Sequence, residues 1–164
     1  MMGLEEVVEN LAPRLLRYCL GCCGDAGTAE EAAQDSLAAL VQRWRQSGPP
    51  DSPEAYAFTI ARRRMGRMAL RRRLVVPFEA LGGHADPAPD PEQTAGEREQ
   101  LGQVLQALGR LDSRDREAIL LATVGELSLA AVAAVTGMSP GAAKTRVYRA
   151  RRRLAAALGR GHDA

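Results

Sequence analysis

The stretch from Leu127 to Leu158, LSLAAVAAVTGMSPGAAKTRVYRARRRLAAAL, constrains the chain most. Ser128 is a natural N-cap, because its hydroxyl can accept from an otherwise unpaired backbone N–H. Leu129, Val132, Ala133 and Thr136 then recur at helical spacing, and Gly137 can end the helix in a left-handed conformation without steric penalty. Ser139 and Pro140 supply the cap and first position of a second helix. Ala143, Val147, Ala150 and Leu154 form its apolar stripe. The spacing therefore predicts a helix, a tight turn and a second helix.

The second helix carries six basic residues between Lys144 and Arg153 (Lys144, Arg146, Arg149, Arg151, Arg152, Arg153) and no acid. With the stripe inward, Gly141, Thr145, Tyr148, Arg149 and Arg152 fall on the far side. A cationic helix held by a small apolar partner helix suits the major groove of DNA. Lys144 and Thr145 are placed for base edges, and Arg146, Arg149 and Arg152 for phosphates. Ser139 and Tyr148 complete the expected contact set. The competing reading is a solvated basic face on an ordinary helical bundle.

Charge divides the rest of the chain. Residues 1–75 carry 11 basic and 9 acidic side chains, residues 76–93 carry four acids and no base, and residues 94–164 carry 11 and 7. Pro77, Pro87, Pro89 and Pro91 with Gly82 and Gly83 predict an extended linker. The expectation is an all-α chain: a helical domain over 1–75, an acidic linker over 76–93 and a helix-turn-helix domain over 94–164. No sustained period-two pattern signals a strand.

In the first domain, Leu4, Val8, Leu11, Leu15, Cys19 and Cys22 predict a first helix with one apolar face. Gly21, Gly24 and Gly27 predict the turn after it. Thr28 and Glu31 predict a capping box for a second helix with the stripe Ala33, Leu37, Leu40 and Trp44. Ser52 and Pro53 open a third helix, buried through Ala57, Ile60, Ala61, Met65 and Met68. From Arg62 to Arg73 that helix holds seven arginines (62, 63, 64, 67, 71, 72, 73) and no acid, which fits a contact tracking a nucleic-acid backbone.

Other chemistry is sparse. Cys19, Cys22 and Cys23 lack a second ligand pair at zinc spacing, and His84 and His162 are remote in sequence, so no metal site is expected. No phosphate loop, His-Glu-x-x-His or Gly-x-Ser-x-Gly motif is present, so no catalytic residue and no cofactor are expected. The acidic start MMGLEEVVEN is unlike a signal peptide, and no apolar run could span a bilayer. A cytoplasmic protein without membrane insertion is the expectation.

The order of parts resembles the extracytoplasmic-function (ECF) sigma factors of bacterial RNA polymerase. GDAGTAEEAAQDSLAALVQRW and PEAYAFTIARRRMGRMALRRR are similar to that family's region 2. LGRLDSRDREAILLATVGELSLAAVAAVTGMSPGAAKTRVYRARRRL is similar to its region 4. The resemblance implies a transcription initiation factor that binds core RNA polymerase and promoter DNA. It places Gln34, Asp35, Leu37, Gln42, Arg43 and Trp44 on or beneath a polymerase-binding surface. The loop around Ser47 and the third helix, with Arg62, Arg63, Arg64, Arg67 and Arg71, would meet the −10 element. The recognition helix would meet the −35 element. An anti-sigma factor is a further implied partner, and the free chain is expected to be monomeric. Where the family usually has Glu and Asn, this chain has Ala131 and Arg63. Two alternatives remain open: a stand-alone helix-turn-helix regulator, and a sigma-like module held by an anti-sigma factor.

Overall fold

The computed structural model describes residues 2–75 and 92–159. The expected linker falls almost wholly outside these residues, as do His84, His162 and the side chains of Arg72 and Arg73. Among the described residues there are seven helices and no strand. They are α1 (Leu4–Cys23), α2 (Ala26–Ser47), α3 (Pro53–Val75), α4 (Ala95–Gly109), α5 (Ser113–Thr123), α6 (Leu129–Thr136) and α7 (Pro140–Gly159).

Local rules set most boundaries. Glu5 and Glu6 lie in the first turn of α1, where the helix dipole favours acids. Helix α1 runs on through Gly21, which is helical and buried, and ends at Gly24 in the left-handed region. Gly27 is likewise inside α2 rather than in the turn. The cap of α2 also departs from expectation. Asp25, not Thr28, is the N-cap, and its carboxylate accepts the Thr28 N–H at 2.8 Å. An aspartate three residues earlier offers the stronger acceptor, so Thr28 becomes a buried residue of the helix. Ser52 Oγ accepts the Ala55 N–H at the start of α3, as the sequence predicts. A reciprocal box between Thr94 and Glu97 opens α4, and Asp112 caps α5.

Helices α1, α2 and α3 pack as one unit, and α5, α6 and α7, with α4 against α7, as another. The first core holds Val7, Leu11, Leu15, Tyr18, Cys19, Ala33, Leu40, Phe58 and Ala61. Val7 takes the place expected for Val8, and the two aromatics Tyr18 and Phe58 join a stripe that the aliphatic periodicity did not include. Their rings meet edge to face with centroids 5.2 Å apart. Trp44 packs partly buried against the same core.

The two units share a continuous apolar interface. Helix α1 packs on α4 and α5, and α3 on α6. Gly21 lets α5 come close: a Cβ there would lie 2.8 Å from the Leu120 side chain. Polar contacts fringe the interface. Arg116 Nη1 donates to the Cys22 carbonyl at 3.0 Å, Arg14 Nη2 donates to the Gly125 carbonyl, and Arg62 pairs with Glu117. The Tyr18 hydroxyl lies 3.4 Å from Glu117 Oε1.

Candidate nucleic-acid interface

The helix-turn-helix forms as its residues predict. Ser128 Oγ accepts the Ala131 N–H at 3.1 Å, and α6 ends on Gly137 at φ 73°. Ser139 Oγ accepts the Ala142 N–H at 3.2 Å, so that hydroxyl is already engaged as the cap of α7. Ala143, Val147 and Ala150 are buried, and Leu154 packs partly buried beside them. Val135 joins the α6 core, whereas Leu129 is 38% exposed.

The outer face of α7 divides in two. Lys144, Thr145, Tyr148, Arg151 and Arg152 are exposed. Tyr148 is 60% exposed, and the Arg152 guanidinium carbon lies 5.8 Å from its ring centroid. The two side chains thus form a flat cationic and aromatic platform. Arg146 and Arg149 behave differently from expectation. Both turn back to Asp115, a fully buried residue at the start of α5. Arg149 donates through Nε to Oδ2 at 2.8 Å and through Nη2 to Oδ1 at 2.7 Å. Arg146 Nη1 donates to Oδ1 at 2.7 Å, and Arg153 Nη1 stands 4.0 Å from Oδ2. A buried carboxylate needs such partners, since its desolvation is otherwise uncompensated. Arg146 engages Asp115 through Nη1 and Arg149 through Nε and Nη2, while the Arg149 side chain stays 43% exposed.

Hydrogen bonds from Arg149 and then Arg146 hold the Asp115 carboxyl below its ordinary value of 3.8, against the opposing effect of burial. A depressed folded-state pKa means stability that is fully present above about pH 4 and lost as pH falls through the depressed value. The surrounding charges are Arg146, Arg149 and Arg153, with Asp112 at 3.5 Å from Arg146. Between pH 5 and 2.5 the urea midpoint of the wild type should therefore fall further than that of Asp115→Asn. Equal falls would show that Asp115 contributes nothing to acid sensitivity.

On the first unit, Gln34 and Gln42 are exposed on α2, with Ala38, Arg45 and Gln46 on the same outward face. Leu37 and Trp44 lie partly buried beneath it. Arg43 is turned to the chain, donating to the Gly48 carbonyl at 2.9 Å. Ser47, the last residue of α2, is exposed. Asp35 pairs with Arg64 at 3.6 Å, linking a residue expected to meet polymerase to one expected to meet DNA. Arg64, Arg67 and Arg71 line a shallow cleft with Glu31, Asp35 and Met68. Arg63 is exposed, and Arg62 is drawn to Glu117 of the other unit.

Cys19 is buried and Cys22 and Cys23 are partly buried, with Cys23 Sγ donating to the Asp25 carbonyl at 3.4 Å. Burial pushes Cys19 up to about 12 and raises Cys22 as well, so both remain protonated at neutral pH. That suits packed thiols of low nucleophilicity. Among the described residues no cluster of three or more His, Cys, Asp or Glu could hold a metal ion, and no helix is long and apolar enough to cross a membrane.

A three-helix unit with an arginine-rich helix, packed on a four-helix unit ending in a helix-turn-helix, defines a two-part helix-turn-helix protein. The family described as Sigma-70 region 2 matches residues 7–74, and that described as Sigma-70, region 4 matches residues 101–154. The RNA polymerase sigma factor CnrH of Cupriavidus metallidurans is 35% identical over 138 residues, covering 79% of this chain and 72% of the relative. The ECF RNA polymerase sigma factor EcfG of Rhodopseudomonas palustris is 30% identical over 157 residues, covering 95% and 85%. The crystal structure of the sigma factor RpoE with the anti-sigma factor NepR from Bartonella quintana superposes with a TM-score of 0.75 at 26% identity. It covers 93% of this chain and 94% of that one. The chain belongs to the ECF sigma factors of RNA polymerase, and its function is transcription initiation.

Proposed function

We propose that the chain works as a two-handed adaptor whose two units carry separate tasks, with catalysis left to core polymerase. The outward face of α2, with Gln34 and Gln42 over Leu37 and Trp44, binds the polymerase. Ser47 and the α3 arginines Arg63, Arg64, Arg67 and Arg71 meet the −10 element. Lys144, Thr145, Tyr148 and Arg152 meet the −35 element. The observation that carries this reading is the exposed cationic face of α7 within the region 4 match.

The two contacts cannot be made at once in the packed arrangement. Elements named −10 and −35 lie about 25 base pairs apart, or about 85 Å along B-DNA at ~3.4 Å per step. A compact body of this length has a radius of gyration of only about 15 Å. Promoter engagement therefore requires the units to part, releasing Arg62 from Glu117.

We further infer an anti-sigma factor as a partner, supported by the NepR complex of the related RpoE. The free chain is proposed to be a cytoplasmic monomer. Capture of core polymerase by the tagged full chain at low salt tests the first contact. Retention of the polymerase supports the reading. A chain that instead dimerises on duplex DNA, by light scattering, and captures no polymerase is a stand-alone regulator.

A further inference from the structure

The geometry points to Asp115 as a positioning residue for promoter reading: it holds α7 at one rotation about its axis and keeps Arg146 and Arg149 off the DNA. This rests on the proposed −35 role of α7.

Helix α7 packs through Ala143, Val147 and Ala150, mostly small side chains, with Leu154 partly buried beside them. Such a stripe leaves the rotation of the helix weakly specified, because small shifts cost little contact area. Asp115 supplies the missing specification. The carboxylate is fully buried on α5, one helical layer away, and the Arg149 fork grips both of its oxygens. A two-pronged pair fixes direction as well as distance. Arg146 adds a second anchor one turn earlier on α7. With both anchors made, Lys144, Thr145, Tyr148 and Arg152 face outward together.

The same contact limits unspecific affinity. Each arginine released to a phosphate would strengthen binding to any sequence and erode discrimination. Asp115 thus takes two of the cations of α7 out of general DNA attraction. Nothing about Asp115 beyond its place at a helix start distinguishes it in the sequence from Asp112 or Glu97.

The test uses the full chain and two fluorescent duplexes, one of random sequence and one enriched by selection from a random library. Anisotropy titrations across a salt series give affinity and salt slope. For Asp115→Asn, the random duplex should bind about tenfold more tightly at moderate salt, with a slope steeper by about 0.9 for each arginine released. The preference for the selected duplex should fall. A purely structural loss would weaken both duplexes together and flatten the slope, and that result would overturn the proposal. Arg149→Lys covers the case in which Asp115→Asn does not fold. Lysine keeps the charge but cannot form the fork. Here the proposal expects reduced preference for the selected duplex at unchanged affinity for the random one. An unchanged preference overturns it. Failure of the underlying −35 reading looks different: the wild type itself then shows no salt-dependent duplex binding, Lys144→Ala and Arg152→Ala change nothing, and the proposal falls with it.

Discussion

Phe58→Ala should lower the unfolding free energy by about 3–5 kcal/mol, the usual cost of deleting a fully buried aromatic. Phe58 is 0% exposed and meets the Tyr18 ring edge to face at 5.2 Å. It joins α3 to α1 in a core where Ala29, Ala32, Ala33, Ala57 and Ala61 stand among Leu11, Leu15, Tyr18 and Leu40. Small neighbours cannot swing in to fill the space, so the cavity should persist. Total stabilities of domains are only about 5–15 kcal/mol, so the loss is a large fraction. Trp44, the single tryptophan, packs on the same core and reports its unfolding by fluorescence. A lower urea midpoint with an unchanged slope is expected. A loss below about 1 kcal/mol would mean that the site repacks around the missing ring.

Gly125→Ala should also destabilise the fold, for a different reason. A Cβ at this position would sit 2.5 Å from the Leu121 carbonyl oxygen and 3.2 Å from its carbonyl carbon. These are backbone atoms, so relief requires the turn itself to move. That turn is tightly specified. The Gly125 N–H donates to the Leu120 carbonyl at 2.9 Å, and the Leu127 N–H to the Leu121 carbonyl at 3.1 Å. Glu126 already stands at φ 53°, a conformation that L side chains adopt at some cost. The Gly125 carbonyl also accepts from Arg14 of the first unit. Overpacking of this kind costs about 1–3 kcal/mol. Moving the turn would displace α6 and α7 as well, so weaker binding to a selected duplex should accompany the lower melting temperature. A stable variant with unaltered duplex binding would contradict the placement of this turn.

What the sequence made legible follows the range of the forces involved. Ser128, Gly137, Ser139 and Pro140 act within one turn of themselves, and each does what its chemistry dictates. The start of α2 lies three residues before the cap that Thr28 predicts, because Asp25 and Thr28 are both capable caps and the carboxylate prevails. In the first unit, helical spacing of the aliphatic residues does not single out Tyr18 and Phe58 and favours Val8 over its neighbour Val7. Contacts between the units were not legible at all. Arg116 and Cys22 are 94 residues apart, and Arg14 and Gly125 are 111 apart, with no local pattern to announce them. The same holds within the candidate site. Arg149 reads as an outward phosphate ligand on a helical wheel, and only the placement of Asp115, 34 residues earlier, ties it back to α5.

The central claim is that this chain brings core polymerase to promoters through two separate contacts. Run-off transcription with a bacterial core polymerase tests it most directly, on templates selected from a library by the reconstituted complex. The expected result is a discrete transcript that requires the chain, survives polyanion challenge, and is lost on mutation of either selected element or on Lys144→Ala combined with Arg152→Ala. No chain-dependent transcript from any selected template, with the chain folded and core polymerase active on nicked DNA, would contradict it.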